Sequence, residues 1–374
     1  NWESPIHLSR HNQDILYFGS NKFHRSMKQG EDMETLSGDL TNGGRKGDVG
    51  YGTLTTIDES PLRFGLLYTG SEDGVIQPSK DGGYTWTRIS DKLPQNLWVS
   101  TVVASAHKQD RVYTSLNGYR YDDFTPYLYV SEDNGKKWER IGGNLPTEAI
   151  NVVKEDPQNP NLLYVGTDHG LYFSLDRGKT FMAMTHDMPA VAVHDLMVHP
   201  REKDLVVATH GRSIYVANVE HLQSLTPELL SQPLHLYALK PVNYSPNWGE
   251  KRYTWGEVSK PEVVVPFYTS AAGTTTIRIK TEKGEVVQEM QDQSERGLNY
   301  VTYHLSVDPA KAAAYAAELN SKKKEGEEAA KVEAAKDGVI YLQPGKYTVE
   351  VITAGGATKT QELIIKAPER RSRS

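Results

Sequence analysis

The chain has 374 residues with a net charge of −6 and a pI near 6.1, which argues against a broad basic surface for nucleic acid or anionic lipid. It contains no cysteine, which excludes a disulfide framework and a thiolate metal site. No apolar run approaches the ~20 residues of a membrane-spanning helix, and the length leaves room for two domains.

An eight-residue pattern, Ser-x-Asp-x-Gly-x-x-aromatic, recurs through the first half of the chain. A degenerate copy begins at Ser26, with Lys28 in the place of the Asp, and the motif serines then follow at intervals of 53, 52 and 43 residues. The pattern positions of the three full copies are Ser79, Asp81, Gly83 and Trp86; Ser131, Asp133, Gly135 and Trp138; and Ser174, Asp176, Gly178 and Phe181.

Each copy stands in a unit of four short predicted strands separated by tight turns. Four strands in about 40–50 residues are typical of a β-propeller blade, so residues 1–219 predict propeller blades. A fifth unit, residues 194–219, supplies three strands without the motif, and residues 234–239 are a candidate for its outer strand. Because the chain begins at Asn1 with no initiator methionine or signal peptide, we expect a trimmed or excised product that ends a longer propeller.

The second half of the chain has a different pattern. Residues 220–261 lose the periodicity and predict a linker that packs on the propeller. About seven short strands within residues 262–366 predict an immunoglobulin-like sandwich, and the Ala-, Lys- and Glu-rich residues 308–337 predict a solvated helical insertion in it. Residues 367–374 form a short basic tail. The predicted fold class is therefore all-β.

The repeated motif has the chemistry of a structural turn. Aspartate accepts backbone N–H bonds, glycine supplies a positive φ, and the aromatic side chain packs between blades. The motif lies between the third and outermost strands of its blade. We therefore expect Asp81, Asp133 and Asp176 to be structural, and we expect function on the opposite face.

The opposite face carries the second-to-third turns and the crossovers between blades. One of these turns, residues 117–126, is an insertion, and long loops tend to be functional. A polar ligand such as a glycan would stack on Trp98 or Tyr121 and be held by Arg120 or Arg212; alternatively, these residues only form hairpin turns and ion pairs between blades. The candidate ligand-face residues are Asp73, Trp98, Arg120, Tyr121, Asp122, Asp123, Asp168, His169, His194, Asp195, His210 and Arg212.

Catalytic chemistry has weaker support in the sequence. Hydrolysis of a glycoside needs two carboxylates about 5–10 Å apart, and nothing in the sequence pairs any two of Asp73, Asp122, Asp123 and Asp168. The histidines lack metal-ligand spacing, and no phosphate-cradling glycine loop precedes a helix. We expect no metal and no cofactor.

The Ser-x-Asp-x-Gly-x-x-Trp units resemble the Asp-box, or bacterial neuraminidase repeat, of sialidases, two-propeller xyloglucanases and sortilin-like receptors. Residues 1–6, 121–124 and 208–214 resemble large secreted bacterial proteins described as sortilin-like or glycosyl-hydrolase-like, and residues 344–347 resemble a hook-capping immunoglobulin-like domain. The resemblance implies an exported protein, located in the periplasm, at the outer-membrane surface or outside the cell. Two features depart from it: the cysteine-rich module of the sortilin-like receptors is absent, and at most one propeller is visible where the xyloglucanases use two.

Two functions remain open at this point. The first is a binding or assembly module for a protein, peptide or glycan at the bacterial cell surface, completed by the remaining N-terminal part of its own propeller. It would bind no nucleic acid and would not span the membrane. The alternative is a glycoside hydrolase that uses the His, Asp and Arg side chains of the ligand face.

Overall fold

The computed structural model describes residues 4–43, 52–185, 188–251, 253, 255–323 and 329–368. The chain divides into two compact units, residues 1–226 and 227–374. Regular structure is predominantly β, arranged in small, mainly antiparallel sheets, which confirms the predicted all-β, propeller-like fold class. The first three residues and most of the basic tail lie outside the described residues.

The described part of the first unit contains five successive antiparallel sheets, each corresponding to one predicted blade. The strands of sheets one and two are β1 (Ile6–Leu8), β2 (Leu16–Gly19), β3 (Phe23–Ser26) and β4 (Glu34–Thr35), then β5 (Leu54–Glu59), β6 (Leu67–Ser71) and β7 (Ile76–Ser79). Those of sheet three are β8 (Trp98–Ala104), β9 (Val112–Gly118), β10 (Asp123–Ser131) and β11 (Glu139–Arg140). Those of sheets four and five are β12 (Ile150–Glu155), β13 (Leu163–Thr167), β14 (Gly170–Ser174) and β15 (Met182–Ala183), then β16 (Val193–His199), β17 (Asp204–Thr209) and β18 (Ile214–Asn218).

Neighbouring blades are joined through their first strands and through apolar cores between the sheets. Thr55 Oγ1 of β5 donates a hydrogen bond of 2.6 Å to the carbonyl of Val99 in β8. Ser100 Oγ of β8 donates one of 2.7 Å to the carbonyl of Ile150 in β12. Each apolar cluster combines residues of two successive blades, so the blades stack face to face around their first strands.

The repeated motif forms the turn between the third and outermost strands, as predicted. At the third full copy, Ser174 Oγ donates to Asp176 Oδ1 (2.7 Å), and the backbone N–H of Gly178 donates to Ser174 Oγ (2.8 Å). Thr180 donates to the two Asp176 oxygens from its backbone N–H (2.9 Å) and its hydroxyl (2.7 Å). Gly178 has a φ of 84°, the left-handed region in which glycine is favoured. In the degenerate copy the N–H groups of Gly30 (3.0 Å) and Lys28 (3.0 Å) still donate to Ser26 Oγ, whereas the hydrogen bonds to the aspartate carboxylate are lost because the ammonium group of Lys28 cannot accept.

Two predicted outer strands differ in the structure. Residues 88–90 form no regular strand, although the Ile89 N–H still donates to the carbonyl of Ile76 in β7 (3.0 Å). The proposed outer strand of the fifth blade was wrong. Leu234–Leu236 (β19) pairs instead with Val263–Thr269 (β21) of the second unit, because Leu234 and Leu236 bury their side chains in that unit's core.

The described residues of the second unit form two sheets that share one apolar core. The first contains β19, β21 and β24 (Gly297–Tyr303); the second contains β20 (Val242–Asn243), β26 (Thr358–Lys366), β25 (Gly345–Ile352), β22 (Gly273–Lys280) and β23 (Val286–Ser294). Two strands of this unit, β19 and β20, come from the segment predicted as a linker. That segment also contains α1 (Glu220–Gln223) and α2 (Pro227–Leu230). The immunoglobulin-like character of this unit stays a prediction.

The helical insertion is shorter and less solvated than predicted. A 3₁₀ turn at Pro309–Lys311 leads into α3 (Ala312–Ser321), and residues 329–337 are not helical; residues 324–328 lie outside the described part. The Tyr315 side chain is only 2% exposed and belongs to the core of the second unit. Tyr315, together with the partly buried Leu319, therefore docks this helix on the core. No helix of the described residues is long and apolar enough to cross a membrane.

Candidate functional site

A cavity of about 690 Å³ opens in the first unit where the first strands β8, β12 and β16 begin. This is the face of second-to-third turns and crossovers on which the sequence places the ligand site. We call this cavity the bulge pocket. Its lining residues are Thr55, Trp98, Ser100, Asn117, Tyr119, Arg120, Asn151, Asp168, Ala192, His194 and His210.

A β-bulge at the same place in four successive blades supplies four of these residues. In each first strand the pairing register shifts by one residue, which leaves one residue without a cross-strand partner. A bulge redirects a side chain and is frequent next to functional sites. The four unpaired residues are Thr55, Ser100, Asn151 and His194, and all four line the bulge pocket.

One wall of the pocket is formed by a cation–π pair. Trp98 begins β8, and Arg120 lies in the 3₁₀ turn Tyr119–Tyr121 that follows β9. The guanidinium carbon of Arg120 stands 4.3 Å from the centre of the Trp98 ring, and Arg120 Nη1 lies 3.9 Å from Glu72 Oε2. The indole and the carboxylate hold the guanidinium at the pocket wall, where its N–H groups are suited to an oxygen-rich ligand.

A chain of amide hydrogen bonds crosses from the third blade to the fourth. Asn117 Nδ2 donates to Asn151 Oδ1 (3.0 Å), and Asn151 Nδ2 donates to Asp168 Oδ1 (2.9 Å). Asp168 Oδ2 accepts no hydrogen bond from the described residues. These two hydrogen bonds therefore fix the side chains of three turns, and they leave one carboxylate oxygen of Asp168 for a ligand.

Two histidines of the fifth blade complete the lining. The rings of His194 and His210 meet edge-on at an interplanar angle of 64°, with their centres 5.3 Å apart. Neutral imidazole both donates and accepts hydrogen bonds, so the pair adds both functions to this wall. Among the described residues, no group of three His, Cys, Asp or Glu side chains is placed to hold a metal ion.

Two predicted acids, Asp73 and Asp123, already accept hydrogen bonds from neighbouring loop residues. Asp73 is 4% exposed and accepts hydrogen bonds from Ser71 Oγ (2.5 Å) and the Asn42 N–H (2.8 Å). Asp123 accepts from the Thr125 N–H (3.0 Å) and the Tyr127 hydroxyl (2.8 Å). Hydrogen bonding from Thr125 and then from Tyr127 lowers the pKa of Asp123. Neither acid lines the bulge pocket.

The structure brings together five of the twelve predicted residues: Trp98, Arg120, Asp168, His194 and His210. Asp73 and Asp123 are not in the lining, as described above. The other five predicted residues are exposed on the surface outside the lining: Tyr121, Asp122, His169, Asp195 and Arg212. Thr55, Ser100 and Asn151 also line the pocket, although the sequence pattern did not indicate them. Each of them is a polar residue near the start of the first strand of its blade. A strict alternation with a period of two treats such a residue as an ordinary strand position, so the alternation does not indicate a bulge.

Comparison with known proteins agrees with the repeat pattern. A family model described as Sortilin, neurotensin receptor 3 (Sortilin-Vps10) matches residues 127–233. The first unit is built from Asp-box β-propeller blades. No curated protein sequence matches the chain.

Solved structures similar to this Asp-box chain include three large proteins. An ancestral GH74 enzyme is 12% identical with a TM-score of 0.47, over 96% of this chain and 46% of that protein. PorZ, a bacterial surface component of the type-IX secretion system of Porphyromonas gingivalis, is 14% identical with a TM-score of 0.43, over 96% and 51%. The GH74 xyloglucanase from Xanthomonas campestris is 12% identical with a TM-score of 0.46, over 96% and 53%. The chain spans about half the length of these proteins.

Proposed function

We propose that the chain is a non-catalytic binding module of an exported Asp-box propeller at the bacterial cell surface, and that its ligand enters the bulge pocket. The observation that carries the proposal is the bulge repeated in four blades, which directs Thr55, Ser100, Asn151 and His194 into one cavity. Four bulges in register weaken four strand pairings at the same level. This loss of strand pairing is explained if the four side chains at the bulges bind one ligand.

The lining favours a glycan segment as the ligand. Hydroxyl, amide, imidazole and carboxylate groups alternate around the pocket, so both donors and acceptors face a ligand that carries many hydroxyl groups. The volume of about 690 Å³ lies within the usual range for small-ligand sites. Arg120 already covers one face of Trp98, so the glycan would meet the N–H edge of the guanidinium or displace it from the ring.

The alternative, glycoside hydrolysis, has less support from the same residues. Hydrolysis by the usual mechanisms needs two carboxylates on either side of the scissile bond. Asp168 is the one carboxylate among the residues that line the pocket in the described part of the chain, and Asn151 holds one of its oxygens. This composition suits binding better than cleavage.

A carbohydrate microarray, followed by calorimetric titration of each glycan that binds, tests the proposal. We expect Asn151→Ala and His194→Ala to weaken binding at least about tenfold, the loss of roughly one to two hydrogen bonds. Tyr84→Ala is the control, because Tyr84 is 59% exposed on the Asp-box turn of the second blade. Thermal denaturation of each variant separates lost binding from lost folding.

The outcomes distinguish the alternatives. Failure to bind any glycan, or equal effects of Tyr84→Ala and Asn151→Ala, overturns the proposal. Binding of peptides in place of glycans, with the same loss in Asn151→Ala, would retain the pocket but replace the ligand. Release of reducing sugar that disappears in Asp168→Asn would establish the hydrolase.

A further inference from the structure

A second cavity, of about 300 Å³, lies where the first strands of the first unit end. It has no lining residue in common with the bulge pocket. We call it the basic cavity, after His7, Arg10 and Lys154. Its remaining lining residues are Leu8, Val103, Ala104, Ala106, Glu155, Pro157, Met197 and Val198.

The acids close to the basic cavity already have hydrogen-bond donors. Asp58 accepts from Arg10 Nη2 (3.0 Å) and from the Ala104 N–H (2.8 Å). Glu155 accepts from Ser105 Oγ (2.9 Å) and from the Ala106 N–H (2.7 Å). These carboxylates therefore stabilise the junctions between blades, and their hydrogen-bonding capacity is largely used there.

Two of the basic side chains of the cavity, those of His7 and Lys154, lack hydrogen-bond partners among the described residues. The Nε2 atom of His7 is buried and has no hydrogen-bond partner among the described residues. The Lys154 ammonium forms no hydrogen bond or ion pair with them; Asp58 and Asp195 attract it electrostatically without reaching contact distance. Burial lowers the pKa of both His7 and Lys154. A buried ring nitrogen without a hydrogen-bond partner is costly, and an entering carboxylate that accepts a hydrogen bond from His7 would offset that cost.

Apart from Arg10 and Glu155, the rest of the lining is apolar. Leu8 and Met197, at the rim, are 58% and 53% exposed, and Val103 and Val198 lie nearby in the wall. Inorganic anions are fully hydrated and gain little from such a surface. A short aliphatic chain attached to a carboxylate gains about 0.8 kcal/mol for each CH₂ that it buries.

We propose that the basic cavity binds a small organic carboxylate. The carboxylate accepts hydrogen bonds from the Lys154 ammonium and from His7, and its aliphatic body packs against Leu8, Val103 and Val198. This site is independent of the bulge pocket and of the function proposed for it.

Calorimetric titration of the 374-residue chain with butyrate tests the site, and butyramide serves as the uncharged ligand of the same shape. We expect butyrate to bind and butyramide to bind at least about tenfold more weakly, because the amide cannot pair with the ammonium. Inorganic phosphate, titrated in parallel, shows whether charge alone is sufficient.

Lys154→Met keeps the length of the side chain and removes its charge, and Lys136→Met, on an Asp-box turn, is the matched control. We expect Lys154→Met to abolish the preference for butyrate over butyramide and Lys136→Met to retain it. If Lys154→Met does not fold, as judged by urea denaturation, His7→Leu replaces it. Equal binding of butyrate and butyramide, phosphate binding as tight as that of butyrate, or an unchanged preference in the folded variant overturns the proposal.

Discussion

At the scale of single residues, the aspartates of the Asp-box accept hydrogen bonds from the residues of their own turns. Asp81 accepts hydrogen bonds from the Thr85 hydroxyl (2.7 Å), the N–H groups of Thr85 (2.9 Å) and Tyr84 (3.1 Å), and Ser79 Oγ (2.8 Å). Hydrogen bonding from the side chain and then the backbone of Thr85 lowers the pKa of Asp81 to about 2. The repeated aspartate that is so prominent in the sequence is therefore best explained as a turn residue.

The first prediction concerns the acid dependence of stability. A folded-state pKa of Asp81 below the ordinary 3.8 means that the ionised carboxylate stabilises the fold above about pH 4, and that this stabilisation is lost as the pH falls towards 2. We expect Asp81→Asn to lower the free energy of unfolding by about 1 kcal/mol near pH 6, since the turn is exposed and solvent screens it. At pH 2 the variant and the parent should converge.

Urea denaturation at several pH values measures this difference. Asp122→Asn is the control, because Asp122 is an exposed aspartate at φ 55° whose carboxylate accepts no hydrogen bond from the described residues. A difference between Asp81→Asn and the parent that is as large at pH 2 as at pH 6 would contradict the assignment.

At the scale of elements, the same hydrogen bond joins the first blade to the second and the third blade to the fourth. Ser9 Oγ donates to Glu59 between the first and second blades (2.6 Å), and Ser105 Oγ donates to Glu155 between the third and fourth (2.9 Å). The serines are 96 residues apart, and so are the glutamates. Next to them, His11 and His107 contact the backbone carbonyls that follow these glutamates. This junction therefore recurs after two blades, a longer period than the Asp-box spacing indicates.

The second prediction concerns the glycine next to the last residue of the Leu-Tyr-x-Gly strands β6 and β13. A Cβ on Gly166 would lie 2.6 Å from Val193 of the next blade and 2.7 Å from Val152, and Gly70, 96 residues earlier, is equally crowded. We expect Gly166→Ala to lower the free energy of unfolding by about 1–3 kcal/mol, because the blades would have to move apart. Gly143→Ala, where nothing lies within 4 Å of the added carbon, should change it by less than ~0.5 kcal/mol. Equal effects of the two substitutions in urea denaturation would rule out close packing as the reason for the glycine.

Local sequence patterns predicted the strands and turns of the blades. The pairing of the strands depends on long-range contacts, which these patterns do not contain. The Asp-box fixed the blade boundaries because its hydrogen bonds lie within eight residues of sequence. The bulges at Ser100 and Asn151 depend on pairing between strands, so composition alone did not reveal them. For the same reason β19 was assigned to the wrong unit: its two leucines fit either core, and only the tertiary contacts with β21 select one.

At the scale of the first unit, the two outermost blades expose apolar faces that the inner blades bury. The register of the fifth sheet places Met197, Val206 and Val216 side by side, with Ile214 on the same face. Ile214 and Val216 are 64% and 63% exposed. On the first sheet, Ile6 (67% exposed) pairs with Phe18 on the face away from the second blade. We propose that each of these exposed apolar faces packs against a further sheet.

The third prediction follows from these uncovered faces. Without a covering sheet, the chain should self-associate in solution, because burying contiguous apolar surface is favourable by about 25 cal/mol per Å². We expect Ile214→Lys combined with Val216→Lys to shift the mass measured by light scattering towards the monomer, since two lysines would have to be desolvated in the interface. Val264→Lys combined with Trp255→Lys, two exposed apolar residues of the second unit, is the control and should leave the association unchanged. A parent chain that stays monomeric at all concentrations would show that these faces do not need a partner sheet, and association lost equally in both double variants would place the contact elsewhere.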